Sequence, residues 1–168
     1  MIQLVSIILI AAFVGIDQWI KYIVINNLDM NESAPFIPKI VEFYRDENTG
    51  AAFSILDEHT FLLSVFTLVI ILVGLYFLLW GKIKDKLLIA SAILFLSGGI
   101  GNLIDRIFRG DKLFWGSVVD YVKFLFVDFA VFNFADCLIC IGAAMIMIYV
   151  IVDTIKNPSD KKKGQENG

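Results

Sequence analysis

The sequence has only one histidine and two cysteines, and this scarcity argues against several kinds of chemistry. His59, expected at the membrane interface, has no Cys or His pair to complete a tetrahedral zinc site. Cys137 and Cys140 have the C-x-x-C spacing of redox and metal motifs, but both lie within an apolar run. There they are better interpreted as small apolar side chains of a helix. We therefore expect neither a metal ion nor another cofactor.

The chain also lacks an excess of positive charge. Its formal net charge is −3 and its pI is about 5.1, so there is no electrostatic basis for nucleic-acid binding, which requires a basic face. Apolar residues, by contrast, make up 58% of the 168 residues, and the mean hydropathy is +0.79. Soluble domains contain roughly 45–50% apolar residues. Because the excess occurs in long runs, the sequence predicts a membrane protein.

Four apolar segments approach or reach the length of about 20 helical residues that a bilayer core requires. They are residues 2–25, 61–80, 87–104 and 134–152. The first has no basic residue at its start and stays apolar beyond Asp17, so we expect a retained helix and not a cleaved signal peptide. We predict an α-helical membrane protein with one four-helix domain over residues 1–156 and a disordered cytoplasmic tail over residues 157–168.

Lysines in the short flanking segments predict the orientation of these spans. Lys82, Lys84 and Lys86 lie between the second and third spans, and the fourth span is followed by Lys156, Lys161, Lys162 and Lys163. Both segments lie on one side of a four-span protein, so we expect them in the cytoplasm together with the N- and C-termini.

Two longer segments, residues 26–58 and 107–132, are then expected outside the membrane. In the first, residues 40–45 and 51–56 have strand character and are joined by turn residues at 46–50. This pattern predicts a small extracytoplasmic β-sheet on the membrane surface.

Four aspartates lie at the outer ends of predicted spans or among apolar residues, where a carboxylate is costly and usually functional. They are Asp17, Asp105, Asp120 and Asp136. If the helices form a bundle, all four can converge at the outer boundary of the membrane. Two carboxylates that are close together in a low dielectric share one proton, so one can activate water while the other donates a proton. Asp120 and Asp136 are the favoured pair for such aspartic-protease chemistry.

Structural interpretations of the same residues remain open at this point. Asn133 can cap the fourth helix, which would place Asp136 in the first turn, where a carboxylate favours the helix dipole. Asp120 can be a solvated loop residue, and its apolar flanks resemble those of Asp128. Asp17 and Lys21 are four residues apart and can form a salt bridge within one helix.

Two other functions compete with proteolysis. Intramembrane carboxylates also form proton relays in transporters and channels. A relay would need carboxylates staggered through the membrane, whereas these cluster toward one face and the second span has none. A non-catalytic membrane scaffold would not need Asp120 or Asp136.

Five sequence blocks occur in order across nearly the whole chain: DQWIK at 17–21, NTGAAF at 48–53, GNLIDR at 101–106, VVDY at 118–121 and FNFAD at 132–136. In these blocks the chain resembles the lipoprotein signal peptidase (signal peptidase II) family of bacterial membrane aspartyl proteases. Departures are mild: Tyr121 stands where the family commonly has Phe, and residues 111–115 look family-variable.

The resemblance implies an endopeptidase of the bacterial cytoplasmic membrane with its active site at the outer face. Such an enzyme removes the signal peptide from diacylglyceryl-modified prolipoproteins, just before the lipidated cysteine. Other implied partners are membrane lipids and inhibitors of the globomycin type. We expect a monomer, because a single bundle is sufficient.

The resemblance also implies roles for individual residues. It assigns catalysis to Asp120 and Asp136, and thereby discards Asp128. The positions that line the pocket and position the substrate are Asn48, Gly50, Asn102, Arg106 and Asn133. The positions that support the site are Asp17, Lys21 and Asp105.

Overall fold

The computed structural model describes residues 1–50 and 60–156, which form four helices and three strands. The helices are α1 (Ile2–Asn27), α2 (Thr60–Leu79), α3 (Lys86–Phe108) and α4 (Phe134–Lys156). The strands are β1 (Ser33–Ile37), β2 (Val41–Asn48) and β3 (Val118–Phe124). The predicted tail at 157–168, the predicted strand at 51–56 and His59 lie outside the described residues.

All four helices have the length and apolar composition needed to cross a membrane. They confirm the four predicted spans, although α3 continues past residue 104 to Phe108 and α4 continues past residue 152 to Lys156. The outward faces carry large exposed apolar side chains, as expected where the surrounding medium is lipid. The chain is a multi-pass membrane protein.

Helix α3 is the central helix of the bundle. Half of its most apolar stretch is buried, against 17% for each of the other three helices. It begins at Asp85, whose carboxylate accepts hydrogen bonds from the backbone N–H groups of Leu87 and Leu88 at 2.8 and 3.1 Å. Small residues such as Ser97, Gly98 and Gly101 then let its neighbours approach closely.

Glycines allow α3 and α4 to pack backbone against backbone. A Cβ atom at Gly98 would collide with the carbonyl oxygen of Ala135. One at Gly142 would lie 2.7 Å from the Phe95 nitrogen and 2.8 Å from the Ser91 carbonyl oxygen. This close contact brings the first turn of α4 against the polar end of α3.

The three strands form an antiparallel sheet in the order β1–β2–β3. The predicted sheet is therefore confirmed, but the predicted turn is wrong for residues 46–48, because β2 continues through Asn48. In the strand these polar residues find partners on β3 and just before it, and these contacts override their preference for turns. Strand β3 was not predicted, because buried Val118 and Val119 break the alternation typical of a half-exposed strand.

The sheet and the link between α2 and α3 lie at different ends of the four spans. The sheet lies where α1 and α3 end and where α2 and α4 begin. The link between α2 and α3 is at the other end, beside the N-terminus: a Cβ at Gly81 would lie 3.2 Å from the Gln3 side-chain nitrogen. The lysine-rich link and the sheet are therefore at opposite ends of the bundle.

The close contact of α3 with α4 leads to a stability prediction. Gly142→Ala should lower the thermal unfolding temperature in detergent, because the added methyl group meets backbone atoms and overpacking costs about 1–3 kcal/mol. Gly15→Ala is the matched control, since no atom of another described segment lies within 4 Å of its added Cβ and alanine favours a helix. Equal unfolding temperatures for the two variants would contradict close backbone packing.

Candidate active site

Lys21, on α1, is the centre of a buried polar cluster. Its side chain has 0% exposure, and its ammonium group has three acceptors. These are Asp105 Oδ2 at 2.7 Å, Asn102 Oδ1 at 2.9 Å and Asp17 Oδ2 at 3.0 Å. Since an ammonium group has three N–H donors, every donor is used. The salt bridge predicted from the spacing of Asp17 and Lys21 is thus present, and it is one of three contacts that the ammonium group makes.

The two carboxylates around Lys21 fasten four elements together. Asp105 also accepts a hydrogen bond from Arg109 Nε at 2.8 Å and lies 3.4 Å from the backbone nitrogen of Val119 on β3. Asp17 accepts a hydrogen bond from the backbone N–H of Ala135, in the first turn of α4, at 3.1 Å. The cluster therefore joins α1 and α3 to the two elements that carry Asp120 and Asp136.

Gln18 and Arg109 complete this cluster, although sequence reasoning had given neither a role. Gln18 Nε2 donates to Gly101 O at 3.0 Å and to Asp105 Oδ1 at 3.2 Å. Arg109 balances the charge, so that two carboxylates face two cations. A signal was available for Arg109, which lies four residues after Asp105 in the same helical region.

Asn102 connects Lys21 to Asp136. The Lys21 ammonium can only donate, so it must face the side-chain oxygen of Asn102, and this turns the amide nitrogen toward Asp136. The nitrogen donates to Asp136 Oδ1 at 2.8 Å. The charge on Lys21 thereby determines which way the Asn102 amide points.

Asn133 and Asp136 form a reciprocal cap at the start of α4. The backbone N–H of Asp136 donates to Asn133 Oδ1 at 2.9 Å, and the backbone N–H of Asn133 donates to Asp136 Oδ2 at 3.0 Å. The cap proposed as the structural interpretation of Asp136 is therefore present. It does not compete with a functional interpretation, because the cap is what orients the carboxylate.

Asn133 also reaches the second carboxylate. Its Nδ2 donates to Asp120 Oδ1 at 2.6 Å and to Asn102 Oδ1 at 3.1 Å. Asn48, at the end of β2, donates to Asp120 Oδ2 at 3.1 Å. Asn133 is fully buried behind the pocket and joins Asp120 to Asp136, so its position differs from the substrate-facing one expected for it.

Asp120 is 2% exposed and belongs to strand β3, not to a solvated loop. Burial, and secondarily the nearby charge of Asp136, raise the pKa of Asp120 to about 7 against the opposing hydrogen bonds from Asn48 and Asn133. Asp120 therefore retains a proton well above the pH at which an ordinary aspartate loses it.

A pocket of about 450 Å³ opens onto both carboxylates. Among its lining residues are four of the five predicted substrate-binding positions: Asn48, Gly50, Asn102 and Arg106. Arg106 donates from Nη2 to the carbonyl oxygen of Gly50 at 3.1 Å. Its Nε is buried and has no hydrogen-bond partner among the described residues.

The remaining predicted residues lie apart from this pocket. Asp17, Lys21 and Asp105 are fully buried behind it and reach the carboxylates through Asn102. Asp128 is exposed between β3 and α4 and does not line the pocket.

A buried carboxylate, Asp120, and a half-buried one, Asp136, are joined through Asn133 at one end of a four-helix membrane bundle, which is the kind of arrangement that defines a membrane aspartic peptidase. The family model described as Signal peptidase (SPase) II matches residues 9–152. The chain therefore belongs to the signal peptidase II family. This membership decides against the transporter and scaffold functions.

The proteins similar to this chain include three that carry the name lipoprotein signal peptidase. The protein from Streptococcus thermophilus is 37% identical over 139 residues, which are 83% of this chain and 87% of that protein. The one from Enterococcus faecalis is 36% identical, with 85% of each chain covered. The one from Halalkalibacterium halodurans is 32% identical, with 87% of this chain and 91% of that protein covered.

Solved structures give the same result for the fold. A bacterial membrane enzyme determined by the in meso method at 2.3 Å resolution has a TM-score of 0.80 and 29% identity, with 89% of both chains covered. A second bacterial membrane enzyme, at 1.9 Å, has a TM-score of 0.77 and 29% identity, with 89% of this chain and 94% of the other covered.

The cluster around Lys21 generates the next prediction. Lys21→Met should lower the unfolding temperature strongly, because it leaves two buried carboxylates without their shared cation, a loss of about 3–5 kcal/mol. Thermal unfolding of the purified protein in detergent measures the effect. Lys84→Met, at an exposed site in the α2–α3 link, is the matched control and should change little. A Lys21→Met protein as stable as the control would contradict the central place of this ammonium group.

Proposed function

We propose that this protein removes the signal peptide from diacylglyceryl-modified prolipoproteins by cleaving just before the lipidated cysteine, with Asp120 and Asp136 as the catalytic pair. The observation that carries the assignment is the coupling of these two carboxylates through Asn133 at the wall of one pocket. No third carboxylate lines that pocket among the described residues.

In this proposal Asp120 acts first as the general acid and Asp136 acts first as the general base. Asp120, with the raised pKa, holds the proton that the pair shares, and Asp136 is assigned the part of the base. Asp136 takes a proton from water as the water oxygen bonds to the scissile carbonyl carbon, and Asp120 gives its proton to the carbonyl oxygen. When the tetrahedral intermediate collapses, the C–N bond breaks. The amine nitrogen receives the proton from Asp136, and a hydroxyl proton returns to Asp120.

The other residues of the pocket suit substrate binding. The Nε of Arg106, which has no hydrogen-bond partner in the described part of the chain, is the donor proposed for a peptide or ester carbonyl, because Nη2 is already engaged by Gly50. Phe124, Phe132 and Ile139 supply an apolar wall for the end of the signal peptide and the acyl chains. Inhibitors of the globomycin type are proposed to occupy the same pocket.

Asp17, Lys21 and Asp105 act as positioning residues in this proposal. They hold the Asn102 amide with its nitrogen toward Asp136, and they fix β3 and α4 relative to each other. Because every residue of the site comes from one chain, we propose that a monomer is sufficient for activity.

The proposed orientation places both termini in the cytoplasm and the site at the outer face of the cytoplasmic membrane. Lys82 and Lys84, exposed in the α2–α3 link, and Lys86 support this orientation, because basic links remain on the cytoplasmic side. The sheet and the carboxylate pair are at the other end of the bundle. Water for hydrolysis is available there, and the lipidated cysteine is at the same depth.

The catalytic pair is tested by cleavage of a lipidated prolipoprotein with purified protein in detergent, in the presence of a chelator. Asp120→Asn and Asp136→Asn should each lower the rate by at least about 10³-fold, since each removes a proton donor or acceptor from the reaction. Asp111→Asn, a change at an exposed acid outside the pocket, is the matched control and should retain activity. Activity that survives in either pocket variant would refute the aspartyl mechanism.

The dependence of rate on pH tests the shared proton. The plot of rate against pH should be bell-shaped, because catalysis requires one proton on the pair. The rate should fall as pH rises above about 7, where Asp120 loses its proton, and fall again at acid pH, where the pair takes up a second proton.

The variant Asn48→Leu should shift the pH–rate profile in a predictable direction. The variant lacks a hydrogen bond that favours the charged form of Asp120, so the pKa of Asp120 should rise further. The alkaline limb of the bell should therefore move to higher pH. A limb that moves to lower pH, or a rate indifferent to pH, would show that Asp120 is not the protonated member.

A further inference from the structure

A second cavity, of about 650 Å³, adjoins the pocket of the carboxylate pair. The two share one wall, formed by Asn48, Asp120, Phe129, Ala130 and Val131. The first cavity contains both catalytic carboxylates, whereas the second contains Asp120 without Asp136. The second cavity therefore meets the carboxylate pair at Asp120 and not at Asp136.

The two cavities differ in chemistry beyond the shared wall. The first continues along Phe132, Ile139 and Cys140 toward the apolar spans. The second is lined by side chains of β2 and β3 and of the segment that follows β3, including Tyr44, Asp46, Glu47, Lys123 and Asp128. One cavity suits a chain in contact with lipid, and the other suits a chain that emerges into water.

The charges of the second cavity do not cancel. Glu47 is paired with Arg45 at 3.0 Å, and Lys123 is paired with Glu42 at 3.1 Å. Asp46 and Asp128, in contrast, have no cationic partner among the residues that the structure describes. The cavity therefore retains two negative charges.

One of these charges lies close to the reaction. Asp46 is the direct cross-strand neighbour of Asp120 in the β2–β3 register. Opposed residues of this kind are within about 5.5 Å at Cβ. A peptide that passes Asp120 on its way into the second cavity must pass Asp46 as well.

We propose that the second cavity is the subsite for the first residues of the mature lipoprotein, those that follow the lipidated cysteine, and that Asp46 and Asp128 make acidic residues unfavourable there. The proposal rests on the function proposed above. With the signal peptide in the apolar cavity and the scissile bond beside the carboxylate pair, the chain must continue beyond Asp120. The residues after the cysteine belong to a water-soluble protein, and a polar cavity accommodates them. Like charges in a binding site reject a ligand more effectively than neutral contacts do.

The test uses three lipidated prolipoprotein peptides that differ only in the two residues after the cysteine, which are Ser-Ser, Lys-Lys or Asp-Asp. For the wild-type protein in detergent, kcat/KM should be about three- to tenfold lower for Asp-Asp than for Ser-Ser, the size expected of partly screened charge pairs. Lys-Lys should be cleaved at least as well as Ser-Ser. High salt should reduce the difference.

Charge-removing variants connect this preference to the cavity. Asp46→Asn and Asp128→Asn should each bring the Asp-Asp to Ser-Ser ratio closer to one, while Asp111→Asn should leave the ratio unchanged. The ratio is compared, not the absolute rate, because Asp46 lies beside Asp120 and its removal can alter the rate for every substrate. Asp128 is not a neighbour of Asp120 in the strand register and gives an independent variant.

The outcomes separate this proposal from the function on which it rests. If the Ser-Ser peptide is cleaved but all three peptides react equally, or if the variants leave the ratio unchanged, the subsite is refuted and the function stands. If none of the three peptides is cleaved, the proposed function fails and the subsite fails with it.

Discussion

One buried ammonium group holds the active end of this protein together. Lys21 has no exposed surface, and removing a charge from water is costly unless every donor is satisfied. Its three acceptors come from α1 and α3. Two of these residues also contact the next elements: Asp105 accepts from Val119 on β3, and Asp17 accepts from Ala135 on α4. A shift of α1 relative to α3 would therefore leave this charge without part of its compensation. The two elements that carry Asp120 and Asp136 are fixed by that same requirement.

Asn133 serves both the start of α4 and the carboxylate pair with one side chain. A helix that begins at a membrane surface needs acceptors for its first N–H groups, and Asn133 with Asp136 supplies them. The remaining donors of the Asn133 amide then reach Asp120. Loss of the Asn133 side chain would therefore remove the cap of α4 and the link between the two carboxylates together.

Much of this arrangement could be predicted from the sequence, because the relevant signals are local. Apolar runs of bilayer length predicted all four spans, and a spacing of four predicted the contact of Asp17 with Lys21. The asparagine three residues before Asp136 predicted the cap. Each of these depends on one helix and needs no knowledge of the rest of the fold.

The parts that could not be predicted all depend on contacts between distant segments. The residues themselves do not distinguish Asp120 from Asp128, since both have apolar flanks. Asp120 is buried because β3 pairs with β2, whereas Asp128 lies beyond β3 and is exposed. The turn predicted at residues 46–48 failed for the same reason, and the contact of Lys21 with Asn102 joins residues 81 positions apart.

Helix α2 contributes no charged residue to the bundle, and its buried hydroxyl groups bond to backbone oxygens, as Ser64 does to Thr60 and Phe114. At its lipid-facing positions, selection can therefore act on hydropathy and length, and hardly on residue identity. This helix can lengthen, shorten or drift as the thickness of the host bilayer changes over evolutionary time, while Asp120 and Asp136 remain in place on β3 and α4.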